Sequence, residues 1–333
     1  MSAAALSGCS RTSQKNGSIE SDSKSEPRSG TSPDTMPSAK PTPPQTVFGP
    51  TVAGRFYTDN PKNLRTEVAS YLEKGASEPA IAKDRRVVAL VAPHAGYVYS
   101  GAVAGVAYAA VRSRTISTVV VLSPSHHGRR SYACALRADA YGTPIGQVPV
   151  ARSLVDALIA KGDGNGGLVR EDEQLFKPEH ALDVQIPFIL MAFPQAQIVP
   201  LIVPMLSMNK LESLGHAIFD VVGSDPNALV VASSDLSHFY GYQQAQSIDD
   251  AMVSELERDD LSTVFDKHDE RRGPCGIAPI VATWAYAKKF GVGWRANRLK
   301  VRNSGDSHPD GRDRVVGYGA IALTVPDTNS KSN

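Results

Sequence analysis

The chain has 333 residues, 41% of them hydrophobic, enough for one large α/β domain once a polar N-terminal stretch is discounted. Its 35 lysines and arginines nearly balance 34 aspartates and glutamates, so no net field favours nucleic acid or an acidic membrane surface. Cys9, Cys134 and Cys275 stand far apart without a C-x-x-C pair, which argues against a disulfide framework or a zinc knuckle, and no run approaches the roughly 18 consecutive apolar residues of a membrane helix.

Residues 1–46 are rich in Ser, Pro, Thr, Lys and Glu; they carry too few large apolar side chains to offset ordering entropy and read as a disordered tether. Near its start, Leu6-Ser7-Gly8-Cys9 is similar to the lipobox at which bacterial lipoprotein signal peptides are cleaved and the cysteine lipidated. Only Met1 to Ala5 precede it, short of a basic n-region and an apolar h-region of about 7–15 residues. Two readings stay open: a start lying upstream, which makes this a cell-envelope lipoprotein tethered to a membrane through Cys9, or a chance match in a cytoplasmic protein.

The folded domain is expected over residues 47–326, with a polar tail at 327–333. Pro61 to Lys74 has helical spacing, with Leu64, Val68, Tyr71 and Leu72 on one face. Val87 to Ala92 is an unbroken apolar run, the pattern of a strand buried on both faces of a parallel sheet. It stops at Pro93-His94-Ala95-Gly96-Tyr97, so His94 sits past the carboxyl end of that strand, where loops splay apart and ligands bind in open α/β sheets. A small-residue helix, Ser100 to Val111, follows. The next strand, Thr115 to Ser123, ends the same way, in Pro124-Ser125-His126-His127-Gly128. Ser131 to Ala138 alternates like an edge strand, Val150 to Lys161 is an amphipathic helix, and Gln197 to Val203 is a strand in which Pro200 implies an edge or a bulge. Leu211 to Val222 is a helix, and the strand Ala228 to Ser233 leads into an expected turn, Ser234-Asp235-Leu236-Ser237-His238. One charged helix over Asp249 to Val264, an apolar helix over Ile277 to Phe290 and a closing strand over Val315 to Val325 complete the chain. This alternation predicts a single-domain layered α/β sandwich with a central mixed, mostly parallel sheet flanked by helices.

Any one of His94, His126, His127 or His238 reads alone as an ordinary surface or hydrogen-bonded histidine. Three strand ends carrying histidine point instead to one shared site, and neutral imidazole is the commonest transition-metal ligand. Cys275, in Gly273-Pro274-Cys275-Gly276, precedes an apolar helix whose N-terminus favours the metal-binding thiolate; the alternative is a buried small hydrophobe, which is the reading for Cys134. Glu179-His180 either orients imidazoles and shuttles a proton or is a polar pair at a helix start. Asp235 and His238 share a face if a helical turn begins there, with Asp235 as its N-cap in the other reading. His216, His268 and His308 receive no role. Gly162-x-Gly164-x-x-Gly167 follows a helix, not a strand, so it lacks the context of a dinucleotide loop, and there is no G-x-S-x-G, Walker A or H-E-x-x-H motif. Ser123 and Ser125 beside His126 make only a weak case for a serine hydrolase.

Seven ordered motifs carry a resemblance: Ala53-Gly54-Arg55-Phe56-Tyr57, Pro93-His94-Ala95-Gly96-Tyr97, Pro124-Ser125-His126-His127, Glu179-His180, Ser233-Ser234-Asp235-Leu236-Ser237-His238, Cys275-Gly276 and Val315-Val316-Gly317-Tyr318-Gly319-Ala320. Together they resemble the Memo-like family, called AmmeMemoRadiSam system protein B in bacteria, over nearly the whole folded region. The resemblance implies a fold similar to the class III extradiol dioxygenases and metal ligands at His94, His126 and Cys275, with Asp235 and His238 lining the same pocket. It further implies functional association with an AMMECR-type protein and a radical SAM enzyme. A thiolate replaces the carboxylate of ferrous extradiol sites, and this softer set suits copper, zinc or iron; three protein ligands leave a coordination position open. The expectation is redox or oxygen-linked iron or copper chemistry on an unidentified small molecule or peptide, with Asp235, His238, Glu179 and His180 as catalytic candidates and no nucleic-acid partner. The alternatives are a non-catalytic metal- or phosphopeptide-binding module, in which Arg129 and Arg130 pair an anion, and a metal-dependent hydrolase with Asp235 or Glu179 as base.

Overall fold

The structure, a computed structural model, describes residues 46–78, 81–162, 167–266 and 272–327. The expected tether apart from Thr46, with the Cys9 lipobox, lies outside the described residues. So do Gly164, His268 and all of the expected tail but Asp327.

From the N-terminus, strand β1 (Val47–Phe48) leads to helix α1 (Pro61–Gly75), β2 (Arg85–Ala92), α2 (Tyr97–Ala109) and β3 (Thr118–Pro124). Three short strands follow, β4 (Ala133–Ala135), β5 (Ala140–Thr143) and β6 (Gly146–Pro149), then α3 (Arg152–Ala160), β7 (Val169–Glu171) and α4 (Ile186–Ala192). The second half runs β8 (Gln197–Val203), α5 (Met208–Val222), β9 (Ala228–Ser233), β10 (Asp235–Tyr240), α6 (Tyr242–Glu257), α7 (Leu261–Asp266) and α8 (Ile277–Lys288). It closes with β11 (Arg295–Asn303), α9 (Ser304–Ser307) and β12 (Val315–Pro326).

The main sheet has the order β10-β12-β2-β9-β3-β8-β4-β7, with β11 also on β12. Its centre, β2-β9-β3-β8, is parallel, and antiparallel pairings bring in β12 on one side and β4 on the other. Every residue of β3 and β9 is buried, as the unbroken apolar runs require of strands covered on both faces. The covering is helical: α2 lies on β2, β11 and β12 and carries α1 and α4, α8 lies on β3 and β9 and carries α5, and α6 lies over β10, β11 and β12. Helix α1 starts where Asn60 accepts from the Lys62 and Asn63 N–H groups and Pro61 fills the first helical position, and it buries Leu64, Val68 and Leu72. A small second sheet, β1-β5-β6, packs on α4 and, through β6, against β8. No helix among the described residues is long and apolar enough to cross a membrane.

Two features of the main sheet build the site. The four central parallel strands end at one edge, so the loops after β2, β3, β8 and β9 emerge together. On one side of β12, β2 pairs with the C-terminal half and β10 with the N-terminal half. Strand β10 therefore occupies the place just beyond the end of β2, next to His94.

The structure departs from the sequence reading in several places. The expected turn at Ser234 to His238 is strand β10, so Asp235 and His238 do not share a helical face and Asp235 caps no helix of its own. Its register on β12 shifts twice, between Asp235 and His238 and between His238 and Tyr240, which hides the strand's period. Ser131 to Ala138 shrinks to β4, fully buried and interior because β7 covers its outer side. Pro200 likewise lies in an interior strand with no bulge on the β3 side. Its carbonyl accepts from the Leu136 N–H, just beyond β4; the N and C=O of a strand residue face the same side, so its missing N–H falls where the β4 ladder ends. The single helix expected over Asp249 to Val264 is two, broken where Asp259 takes a positive φ of 62° and Asp260 Oδ1 accepts from the Thr263 N–H. Strand β11, Arg295–Asn303, has no counterpart among the expected elements; it is rich in polar residues and pairs along the length of β12.

Candidate metal centre

His94 is 2% exposed, and the turn that carries it is held by Asp235. Asp235 Oδ1 accepts the backbone N–H groups of His94 at 2.7 Å and Ala95 at 3.3 Å. Behind the imidazole, the Ser233 hydroxyl donates to the Ala181 carbonyl at 2.6 Å. Its oxygen is thereby left to accept from Gln185 Nε2 at 2.8 Å and from His94 Nδ1 at 3.0 Å. The amide of Gln185 is fixed in that sense, because Tyr108 Oη donates to its Oε1 and its Nε2 also reaches the Pro93 carbonyl. The proton of neutral His94 is thus placed on Nδ1, and Nε2 is left bare. That nitrogen lies 3.0 Å from Cys275 Sγ. Burial first, then the neighbouring His126, pushes the His94 pKa well down, so the ring is neutral.

His126 follows the same scheme with a different partner. Its Nδ1 lies 2.8 Å from Glu179 Oε1, its backbone N–H donates to Oε2 at 2.7 Å, and the Ala181 N–H donates to Oε1 at 2.9 Å. Burial works against the Glu179 carboxylate, which is 1% exposed, but these bonds and the facing imidazole outweigh it and hold the pKa at about 2. A carboxylate fixed on Nδ1–H orients the ring and leaves Nε2 for a metal, the usual arrangement behind a ligating histidine.

Cys275 reaches the same place from the start of α8. The Gly276 N–H donates to Ser234 Oγ at 2.9 Å, and a Cβ on Gly276 would lie 2.4 Å from the Ser233 carbonyl oxygen. Only glycine lets the helix begin this close to the end of β9. The Asp235 N–H points at Cys275 Sγ from 3.3 Å. The expectation of a ready thiolate is corrected here: burial, then the Asp235 carboxylate, drives the thiol pKa well above its usual value, so without a cation the helix N-terminus does not suffice. The ligand atoms of His94, His126 and Cys275 all lie within 4.8 Å of one another, and His126, Glu179 and His180 form a second such group.

Of the other candidates, His180 stacks on His126 with ring centroids 4.5 Å apart and is backed by Phe56 at 4.7 Å. Burial, then the His94 and His126 rings, lowers its pKa to about 3. His238 is partly buried on β10, with its pKa lowered chiefly by burial. Asp235 is buried among the backbone donors of the His94 turn, and burial raises its pKa. His127 is exposed, and His308 packs on Tyr99 away from the group. Of the two arginines expected to pair an anion, Arg130 is committed to Asp172 at 2.7 Å, while Arg129 lines a cleft of about 450 Å³ that also contains His126 and Cys275.

Sequence reasoning missed Ser233 and Gln185, which set the His94 tautomer, and Phe56, which backs His180. Phe56 and Ser233 stand inside the quoted motifs, and Ser233 carries a further local signal as a polar residue closing the apolar run Leu229 to Ala232; buried polar groups of that kind require a partner.

Comparison with known proteins covers most of the described residues. A family model described as Memo-like protein matches residues 49–322. A MEMO1 family protein of Methanosarcina mazei is 34% identical over 277 residues, covering 82% of this chain and 98% of its own length. Another from Caldivirga maquilingensis is 32% identical over 283 residues, with the same two coverages, and MEMO1 family protein MTH_45 of Methanothermobacter thermautotrophicus is 30% identical over 279.

Proposed function

This chain belongs to the Memo-like family, and from that premise we propose that His94, His126 and Cys275 hold one iron or copper ion in a centre for redox or oxygen-linked chemistry. The observation that carries the proposal is the hydrogen bonding behind the imidazoles. Each Nδ1 is taken up, by Ser233 or Glu179, which leaves the two Nε2 atoms to converge with one thiol. Two imidazoles and a sulfur are a borderline-soft set that fits copper, iron or zinc, with binding order favouring copper. Such an ion would supply redox capacity and an open coordination position.

The chain's own residues have separable tasks in this reading. Glu179 keeps His126 in one tautomer, and Asp235 holds the backbone of the His94 turn. His180 and His238 are both kept neutral by burial beside the centre, and Phe56 packs behind His180.

The test is anaerobic purification with metal analysis and oxygen-uptake measurement on wild type, Cys275→Ser and His94→Ala. The expected result is iron or copper in the wild type and its loss from both variants. Equal metal content in all three would refute the ligand assignment. Zinc alone, with metal-dependent ester turnover, would move the reading to a hydrolase.

A further inference from the structure

The cleft beside the proposed centre has a chemical character of its own. Its volume, about 450 Å³, falls in the range of roughly 300–1,000 Å³ that suits small-molecule sites. His126 and Cys275 line it together with Arg129 and an apolar group, Val203, Met205 and Ala278. No acidic side chain lines it among the described residues, because Glu179 and Asp235 face backbone donors behind the imidazoles.

The two arginines after the histidine turn differ in one respect that decides the argument. Arg130 Nε donates to Asp172 and its Nη1 to the Arg129 carbonyl. The Arg129 guanidinium makes no hydrogen bond or ion pair with any described residue, yet it stands on a fixed support. Ser125 Oγ donates to the Gly128 carbonyl at 2.6 Å, and the turn packs so closely on Leu175 that a Cβ at Gly128 would lie 2.6 Å from it. Across the cleft, Met205 is 50% exposed, a flexible apolar side chain at the mouth of a polar centre. Ala278 belongs to the first turn of α8, the positive end of that helix's dipole.

We propose that this cleft binds a small organic anion, with a carboxylate or phosphate-monoester head on Arg129 and a short apolar body against Val203, Met205 and Ala278. The proposal rests on the metal-centre reading for what is done to that ligand, since it places the ligand beside His126 and Cys275. Its binding arm stands separately. A guanidinium pairs an anionic oxygen head through two parallel N–H donors, and a neutral molecule of the same shape forfeits that pairing.

The experiment titrates the full-length protein, stripped of metal by a chelator, with hexanoate, hexyl phosphate, hexanamide and inorganic phosphate, followed by calorimetry. Wild type is compared with Arg129→Gln and Arg130→Gln. We expect hexanoate or hexyl phosphate to bind wild type, Arg129→Gln to weaken that binding about tenfold or more, and Arg130→Gln to change it little. Hexanamide should respond to neither substitution, and the tighter of the two anionic probes names the head group. Unchanged hexanoate and hexyl phosphate binding in Arg129→Gln, hexanamide binding as tightly as the anions, or no binding of any probe overturns the inference. Metal content is measured separately on the same preparations, so loss of the metal-centre reading and loss of the anion site appear as different results.

Discussion

Replacing Glu179 with glutamine changes one atom and tests the claim that a carboxylate sets the geometry of His126. The carboxylate accepts three donors: the His126 Nδ1–H and the Ala181 N–H on Oε1, and the His126 backbone N–H on Oε2. Glutamine offers one acceptor oxygen and one NH₂ donor, so whichever way the amide turns, at least one of these donors faces another donor. Leaving one buried N–H unsatisfied costs about 1–3 kcal/mol, and the surviving bonds lose charge assistance worth about another 1 kcal/mol. A stability loss of roughly 2–4 kcal/mol follows, read as a fall in urea midpoint at unchanged m value. Metal affinity should fall about 10–100-fold, the usual effect of removing a partner behind a ligating histidine, read by chelator competition against a His216→Gln control. A folded Glu179→Gln protein with wild-type metal affinity would refute the reasoning, because it would show that the His126 ring needs no carboxylate behind it.

Three further outcomes follow from particular contacts. Ser233→Ala removes the oxygen shared by His94 Nδ1, Gln185 Nε2 and the Ala181 carbonyl, and should cost about 1–3 kcal/mol in denaturant unfolding together with weaker metal binding; an unchanged metal affinity would show that the His94 tautomer is not set there. Asp249 on α6 is 1% exposed, accepts the Ser237 N–H at 2.9 Å, and is pushed by burial up to about 7 from an unfolded value near 3.8. A folded pKa above the unfolded one means that the native state holds the proton more tightly, so stability is greatest below about pH 4 for this group and is lost as pH rises towards 7. Asp249→Asn should remove that loss, at most about 4 kcal/mol, and parallel pH profiles of wild type and variant would contradict it. Gly317→Ala should be strongly destabilising, by about 2–4 kcal/mol, because its Cβ would lie 1.9 Å from Asp249 Oδ2; if the two contacts are one, adding Asp249→Ala should cost less than the sum of the single changes.

Much of the fold is legible in the sequence because its centre is built from runs with a single environment. Strands β2, β3 and β9 each have an unbroken apolar centre, Val87–Ala92, Val119–Leu122 and Ala228–Ala232, bounded by polar or turn residues, so their type, their burial and the placing of His94 and His126 just past their ends follow from local pattern alone. What the sequence reading omitted or misplaced in the sheet depends on an environment that is not local. β11 is polar and survives by pairing along the length of β12, β10 is broken by two register shifts, and Pro200 is tolerated where its missing N–H meets no ladder. In each case a neighbour distant in sequence decides the structure.

The site divides in the same way. By itself the sequence determined which residue types stand at the strand ends, the cysteine before α8, and the ordered motifs that mark the Memo-like family, since these depend on composition and spacing along the chain. Only the tertiary structure decided which nitrogen of each histidine is free, that Cys275 keeps its proton without a cation, and that Arg130 is tied to Asp172 while Arg129 is not. The physical reason is that tautomer and pairing are set by atoms within about 3 Å, from Ser233, Gln185, Glu179 and Asp172, and protonation chiefly by burial, and the chain supplies both only by folding.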